Sequence, residues 1–305
     1  MAALLGILVL TVFGLALVFY GLSSWDAIRY RARRRRATPE SGLHINYSYL
    51  LRWSKLIAAS KPNARVLDYG CGTGKVVAAT RELGLDAYGA DIYYEASAVY
   101  KDEAARLGLF GTVIREIRNG RLDFDDCYFD LVMSNQVFEH VEDMDAALSE
   151  IHRVMKKGAL FLCLFPSRDV IREGHIGIPF AHWFPRDSRL RFYVTLALRS
   201  IGLGYVKDRN KTNTQWTKDA LRWLDNFTVY RHKREISRSF ARFFEVKLIE
   251  EDYIKYRLSA HPQAKYFTRV LNLPFIPQIS RVLFRKLAGM VILAKKPEEA
   301  SSASP

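Results

Sequence analysis

The residues in this chain best placed to do chemistry begin with a glycine-spaced turn. VLDYGCGTGK, Val66 to Lys75, sets Gly70, Gly72 and Gly74 at every second position between an apolar run and a helix-like segment. Glycine at such places admits positive φ and lets the backbone approach a ligand closely. Asp91 ends the strand expected in YGADI, and a strand-terminal carboxylate can accept hydrogen bonds from a pair of hydroxyls. Asn135 and Gln136 end a later apolar run, with Glu139 and His140 just beyond. His175 and His182 lie in EGHIGIPFAHWFP, among Phe180, Trp183 and Phe184. A reaction that removes a proton from oxygen needs a general base. Glu139, His140, His175 and His182 are the candidates, each histidine having a structural hydrogen bond or a surface position as its other reading. No Ser-His-Asp or Cys-His set stands out. Cys71, Cys127 and Cys163 are far apart and form neither a CxxC pair nor a zinc-ligand spacing, so no metal is expected.

These residues need a scaffold, and the surrounding pattern supplies one. RVLDYG, DAYGAD, GTVIREI and YFDLVMSN read as strands. GKVVAATRELG and EASAVYKDEAARLG read as the helices between the first three. VEDMDAALSEIHRVMKKG reads as a helix with acids in its first turn and Lys156, Lys157 and a Gly158 cap at its end, an order that suits the helix dipole. ALFLCLF is an unbroken apolar strand, as in a parallel sheet covered on both faces. Strands alternating with helices predict a doubly wound α/β sheet. FFEVKLIEEDY and GMVILAKKP read as later strands, and NYSYLLRWSKLIAA as an amphipathic helix ahead of the sheet.

In such a sheet, ligands bind beyond the C-terminal strand ends near the switch point, which is where the glycine turn falls. Its spacing is GxGxG, not the GxGxxG of a dinucleotide reader, and Lys75 lacks the upstream spacing of a P-loop. With Asp91 to hold a ribose, the turn points to a ligand carrying adenosine.

VLDYGCGTG, GADI, LDFDDCYFDLVMSNQVFEHV and ALSEIHRVMKKGALFLCLFPS together resemble the class I S-adenosylmethionine-dependent methyltransferases. The resemblance is to the broad group whose fourth-strand segment runs LPF…FDxV…HV, and it spans about residues 63–166. It implies a Rossmann-like, mostly parallel seven-stranded sheet, and S-adenosyl-L-methionine as cofactor. It implies that Asp68, Gly70, Cys71, Gly72 and Gly74 wrap the methionine part. Asp91, with Ile92 beside it, would hold the ribose, and Asn135 and Gln136 would line the site near the sulfonium. The segment before Leu122 would flank the adenine. There the sequence departs from the family, with Asn119 and Arg121 where acidic residues are common.

The charge distribution bears on partners. The net charge of +14 divides into +7 over residues 1–62, −6 over 63–164, +9 over 165–247 and +4 over 248–305. Residues 3–22 are uncharged and apolar, and six arginines follow between Arg29 and Arg36. About 20 such residues are enough to cross a bilayer, and the positive-inside rule then places the arginines in the cytoplasm. A cleaved signal peptide is the competing reading, against which no Lys or Arg precedes the run. The expected organisation is an anchor and basic flank over 1–36, a linker helix over 37–62 and a methyltransferase domain over 63–296. That domain carries insertions at about 166–240 and 253–287, and the tail 297–305 is expected to be disordered. The expected protein is a single-pass membrane enzyme with a cytoplasmic catalytic domain, methylating a small-molecule, lipid-linked or glycan acceptor. A tethered cofactor-binding scaffold without turnover is the alternative, and an RNA methyltransferase is disfavoured.

Overall fold

The computed structural model describes residues 44–94, 98–205, 210–259 and 271–298. The described residues divide into two compact units, a larger one from residues 44–170 with 229–298 and a smaller one from residues 171–228.

The larger unit is built on a seven-stranded sheet. Its elements in chain order are α1 (Ile45–Ser60), β1 (Arg65–Tyr69), α2 (Lys75–Glu82), β2 (Asp86–Asp91), α3 (Ala98–Arg106), β3 (Ile114–Glu116), β4 (Phe129–Asn135), α4 (Met144–Val154) and β5 (Met155–Phe165). After the other unit's residues come α7 (Lys233–Ala241), β6 (Glu245–Leu248), α8 (Glu250–Ser259), α9 (Ile276–Leu287) and β7 (Met290–Lys295). The strand order is β3-β2-β1-β4-β5-β7-β6, parallel except that β7 runs antiparallel to both its neighbours. The order reverses between β1 and β4, so the crevice at their C-terminal ends is the switch point.

Two apolar layers explain why the central strands read as continuous hydrophobic runs. On one, Leu148 and Ile151 of α4 and Ile236 and Phe240 of α7 pack with Leu67, Phe129, Val132 and Phe161. On the other, Tyr49 and Leu50 of α1 and Val76 and Val77 of α2 pack with Val66, Leu131, Met133 and Leu162. Asp143 caps α4 by accepting from the Ala146 N–H at 2.9 Å, the role an N-cap carboxylate fills.

The smaller unit packs α5 (Arg189–Ser200) against α6 (Asn213–Phe227) around Ile176, Ile178, Leu203, Trp216 and Leu224. Its buried Arg191 is neutralised by Asp225 at 2.6 Å and donates to the Ala181 carbonyl at 2.8 Å. Buried Arg199 stacks over Trp216 at 4.0 Å.

Three expectations need correction. No helix among the described residues is long and apolar enough to cross a membrane, and the stretch 3–22 on which the transmembrane helix rested lies outside those residues. The seven-stranded sheet stands, while the transmembrane helix and the single-pass placement with a cytoplasmic catalytic domain are not supported by any described helix. Second, α4 stops at Val154, and Gly158 is no helix cap. Met155 pairs with Phe129, Lys156 reaches Asp130 at 2.6 Å, and Gly158 falls inside β5 where the pairing slips by a bulge. Burying Met155 in the core outweighs one more helical turn. Third, FFEVKLIEEDY is a strand only over Glu245–Leu248. The run Glu250, Glu251, Asp252 opens α8, where acids suit the helix N-terminus.

Candidate functional site

The turn after β1 is built around one residue, Gly72, held at both its N–H and its carbonyl. The Gly72 N–H donates to Asp91 Oδ2 at 2.8 Å, and the Tyr93 hydroxyl donates to the Gly72 carbonyl at 2.8 Å. Asp91 Oδ1 also accepts from the Tyr93 N–H at 3.2 Å. The Gly70 N–H is tied to the Ala90 carbonyl at 2.7 Å, so the end of β2 fixes the turn after β1. Gly70 has φ 75°, and a Cβ there would stand 2.2 Å from Val137 Cγ2, which excludes any side chain. Gly72 has φ 51° and open space where its Cβ would be. One glycine lets two loops meet; the other leaves an accessible backbone floor.

The electrostatics of that floor are negative. Asp68, 5% exposed, makes no side-chain hydrogen bond to a described residue. Burial, and then the charge of Asp91, push its carboxyl up to about 7. Burial, followed by Asp68 and Asp91, also raises the Cys71 thiol, so it is no ready nucleophile. Tyr47 of α1 is raised by burial and then by Asp68, which places it in the same field. A buried, unneutralised carboxylate with a second one nearby is a receptor for a cation. S-adenosylmethionine carries an ammonium and a sulfonium, so the residues present fit that cofactor.

At the end of β4, Asn135 Oδ1 accepts from Asn46 Nδ2 of α1 at 2.8 Å, and the Tyr253 hydroxyl of α8 donates to Asn46 Oδ1. Asp252 secures the same two helices, accepting from the Tyr49 hydroxyl at 2.7 Å and from Arg52 at 2.6 and 3.3 Å. Gln136 is exposed at φ 58°, its N–H bound to the Leu164 carbonyl. Glu139 is 1% exposed, with His140 Nε2 4.0 Å from its Oε1.

The structure brings Asp68, Gly70, Cys71, Gly72, Gly74 and Asp91 together, with Asn135 on the neighbouring strand. Ile92 is 54% exposed beside Asp91. Asn119 sits exposed at φ 52° at the tip of a turn closed by Arg118 and Arg121. Arg118 and Arg121, with Phe124 and Tyr128, line a cavity of about 890 Å³ along the β3 edge. His175 and His182 belong to the smaller unit. There, buried Glu173 accepts from the His175 and Ile176 N–H groups and pairs with His175 Nδ1 at 2.7 Å, orienting the imidazole. His182 is 7% exposed, its ring 6.4 Å from that of Trp183. Sequence reading missed Tyr93, Asn46, Tyr47 and Tyr253. Tyr93 was within reach, two positions after Asp91; the other three are joined to the site only by the fold.

Comparison with known proteins adds the following. Residues 67–163 match the family described as Methyltransferase domain. The ubiquinone/menaquinone biosynthesis C-methyltransferase of Vibrio vulnificus is 34% identical over 117 residues, 37% of this chain and 45% of that protein. The ubiquinone biosynthesis O-methyltransferase of Brucella anthropi is 32% identical over 127 residues, 41% of this chain and 51% of that protein. The chain thus spans about half the length of the curated relatives it matches. A solved S-adenosylmethionine-dependent methyltransferase from Mesorhizobium loti aligns over 81% of this chain and 98% of its own at 16% identity and a TM-score of 0.45.

Proposed function

We propose, from the premise that residues 67–163 are a class I S-adenosylmethionine-dependent methyltransferase domain with that compound as its cofactor, that the protein methylates a small-molecule acceptor. The observation that carries this reading is Gly72 held by Asp91 at its N–H and by Tyr93 at its carbonyl, in the turn that follows β1 and the buried Asp68, which makes no side-chain hydrogen bond among the described residues.

The roles follow from position. Asp91, already oriented by two backbone donors, keeps acceptor capacity for the ribose hydroxyls. Asp68 receives the ammonium, and Gly70, Cys71, Gly72 and Gly74 give the methionine part a backbone surface. Ile92 covers an apolar part of the cofactor. Asn119 belongs to the turn that borders the adenine, with the β3-edge cavity beside it. Asn135 and Gln136, at the end of β4, border the reacting end.

The bound cofactor supplies an electrophilic methyl on a good leaving group, so an in-line displacement suffices. The chain's work is alignment and exclusion of water. Asn135, fixed by Asn46, orients the acceptor. Glu139, His140, His175 and His182 are the groups that can take a proton if the acceptor atom is oxygen. The names of the aligned relatives favour a ring acceptor of the quinone-precursor kind, over either a lipid-linked sugar or a glycan.

Calorimetry with S-adenosylmethionine and its demethylated product, followed by methyl transfer to a panel of demethylated quinone precursors, tests this. Absence of binding to both compounds overturns the reading; binding with no transfer across quinone, lipid and glycan panels favours a cofactor-binding scaffold. Single replacements of His140, His175 and His182 by Asn decide the base: near-full activity in all three removes histidine from the mechanism.

A further inference from the structure

Helix α9 is inside out. Ile279, Val282, Leu283 and Leu287 recur at spacings of three and four, the signature of one helix face. On a surface helix that face packs inward, yet here all four are more than half exposed, Leu287 at 68%. Leu273 and Phe275, just before the helix, extend the patch, with Phe275 at 75%. The face turned in is mixed, carrying Phe284 beside Arg285. Arg285 makes a two-pronged pair with fully buried Glu250 of α8 at 2.6 and 3.0 Å. Phe284 meets the Tyr253 ring at 5.5 Å, and Arg281 bonds back to the Pro277 carbonyl. The Arg285–Glu250 pair fixes the rotation of α9, so the outward apolar face is built in.

We infer that this face docks on an anionic phospholipid surface, α9 lying in the interface with Phe275, Ile279, Val282, Leu283 and Leu287 toward the acyl chains. Charge selects the occupant. From Glu250 to Glu298 the sequence holds nine Lys and Arg against four Asp and Glu, and Arg285, Lys255 and Lys295 pair with Glu250, Glu251 and Glu298. Two copies meeting face to face would bring that excess of positive charge together, whereas an anionic bilayer complements it. An outward apolar face with cationic flanks and a short helix is the pattern of a helix that lies on a bilayer, which is distinct from one that crosses it. No residue of the glycine turn or of the β4 end enters the inference, and it stands or falls apart from methyl transfer.

The test uses the full chain with exposed Cys127 changed to Ser, Cys71 and Cys163 being buried, and an environment-sensitive fluorophore on Val282→Cys. A control carries it on Glu82→Cys, exposed at the end of α2. With vesicles of phosphatidylcholine and phosphatidylglycerol in equal parts, the label at 282 is expected to shift to the blue and to be quenched by brominated acyl chains. Phosphatidylcholine alone should give a much smaller change, and the label at 82 none. Ile279→Glu with Leu283→Glu should weaken the response at 282 by roughly tenfold or more, with thermal stability unchanged because both side chains are exposed. A label at 282 that stays in water while the chain sediments with vesicles overturns the inference. So does a blue shift without vesicles that tracks dimer formation in the ultracentrifuge, since a second copy would then cover the face.

Discussion

The turn after β1 and the turn after β4 stand at the C-terminal ends of adjacent parallel strands, yet they are held by different means. The first is secured by neighbours in sequence. Gly72 is bound by Asp91 and Tyr93, and Gly70 by Ala90, all within about two dozen positions. The second is secured from afar: Asn135 is fixed by Asn46, 89 positions away, and Asn46 by Tyr253, 207 positions beyond that. On the proposed reading the cofactor side is thus a local device, held by bonds between the ends of two neighbouring strands. The proposed acceptor side depends on α1 and α8, elements outside residues 67–163, and shares no side-chain hydrogen bond with the Gly72 clamp.

The sharpest way to break that contrast is Asp91→Ala. It removes the ribose acceptor and frees the Gly72 N–H, so affinity for the demethylated cofactor should fall roughly a hundredfold, about 2.7 kcal/mol. Stability should change little, because Asp91 is only half buried. Calorimetry gives the affinity and thermal melting the stability. Equal affinity in the variant would mean that Asp91 serves the turn and not the ligand.

Asp68→Asn should separate binding from stability within the cofactor side itself. The Asp68 carboxyl is raised to about 7 by burial and by Asp91, while in the unfolded chain it titrates near its ordinary value. The folded state therefore holds the proton more tightly. That favourable contribution is full below the unfolded value and is lost as pH rises through about 7. Above that the folded protein carries a buried anion without a cation. Cofactor-free Asp68→Asn should then be the more stable protein at alkaline pH, by roughly 2–4 kcal/mol, and its melting temperature should fall less between about pH 5 and about pH 8. Its cofactor affinity should drop roughly tenfold, since Asn cannot pair with an ammonium. Parallel melting curves for the two proteins across that range would refute the buried-anion account.

How far the sequence reveals this molecule follows the same division. DAYGAD is a strand over the very residues that its pattern predicts, and the glycine turn and Asp91 meet as expected. Those signals are local: period, turn chemistry and a carboxylate at a strand end. Gly158 misleads because a glycine after a helix with basic residues looks like a cap, and only the pairing of Met155 with Phe129 shows the strand to start earlier. FFEVKLIEEDY reads as one strand because of its apolar start, whereas its acids Glu250, Glu251 and Asp252 open α8. Asn46 and Tyr253 carry no mark in sequence, because nothing in a single chain says which distant polar residue will face Asn135. The inverted face of α9 is hidden for a related reason. Periodicity gives the apolar stripe, but its direction is set by Arg285 finding Glu250 on another helix.

Asn46→Ala and Tyr253→Phe probe the long-range side with the smallest expected effects. Tyr253→Phe deletes one hydroxyl and leaves the ring that packs on Tyr49 and Phe284, so folding should be preserved. Asn46→Ala removes the donor to Asn135 outright. Each should lower kcat by roughly three- to tenfold, Asn46→Ala the more, while affinity for the demethylated cofactor stays within about twofold, because the Gly72 clamp shares none of these bonds. Asn46→Gln, one methylene longer, should recover less than Asn46→Ser recovers if room and not bonding is limiting, and more if the amide is what matters. Kinetics with the acceptor varied and calorimetry with the cofactor product give both quantities on the same preparations. A parallel loss of cofactor affinity would move α1 to the cofactor side and dissolve the contrast between the two turns. An unchanged kcat would leave the Asn46–Tyr253 pair as a device that only fastens α1 to α8.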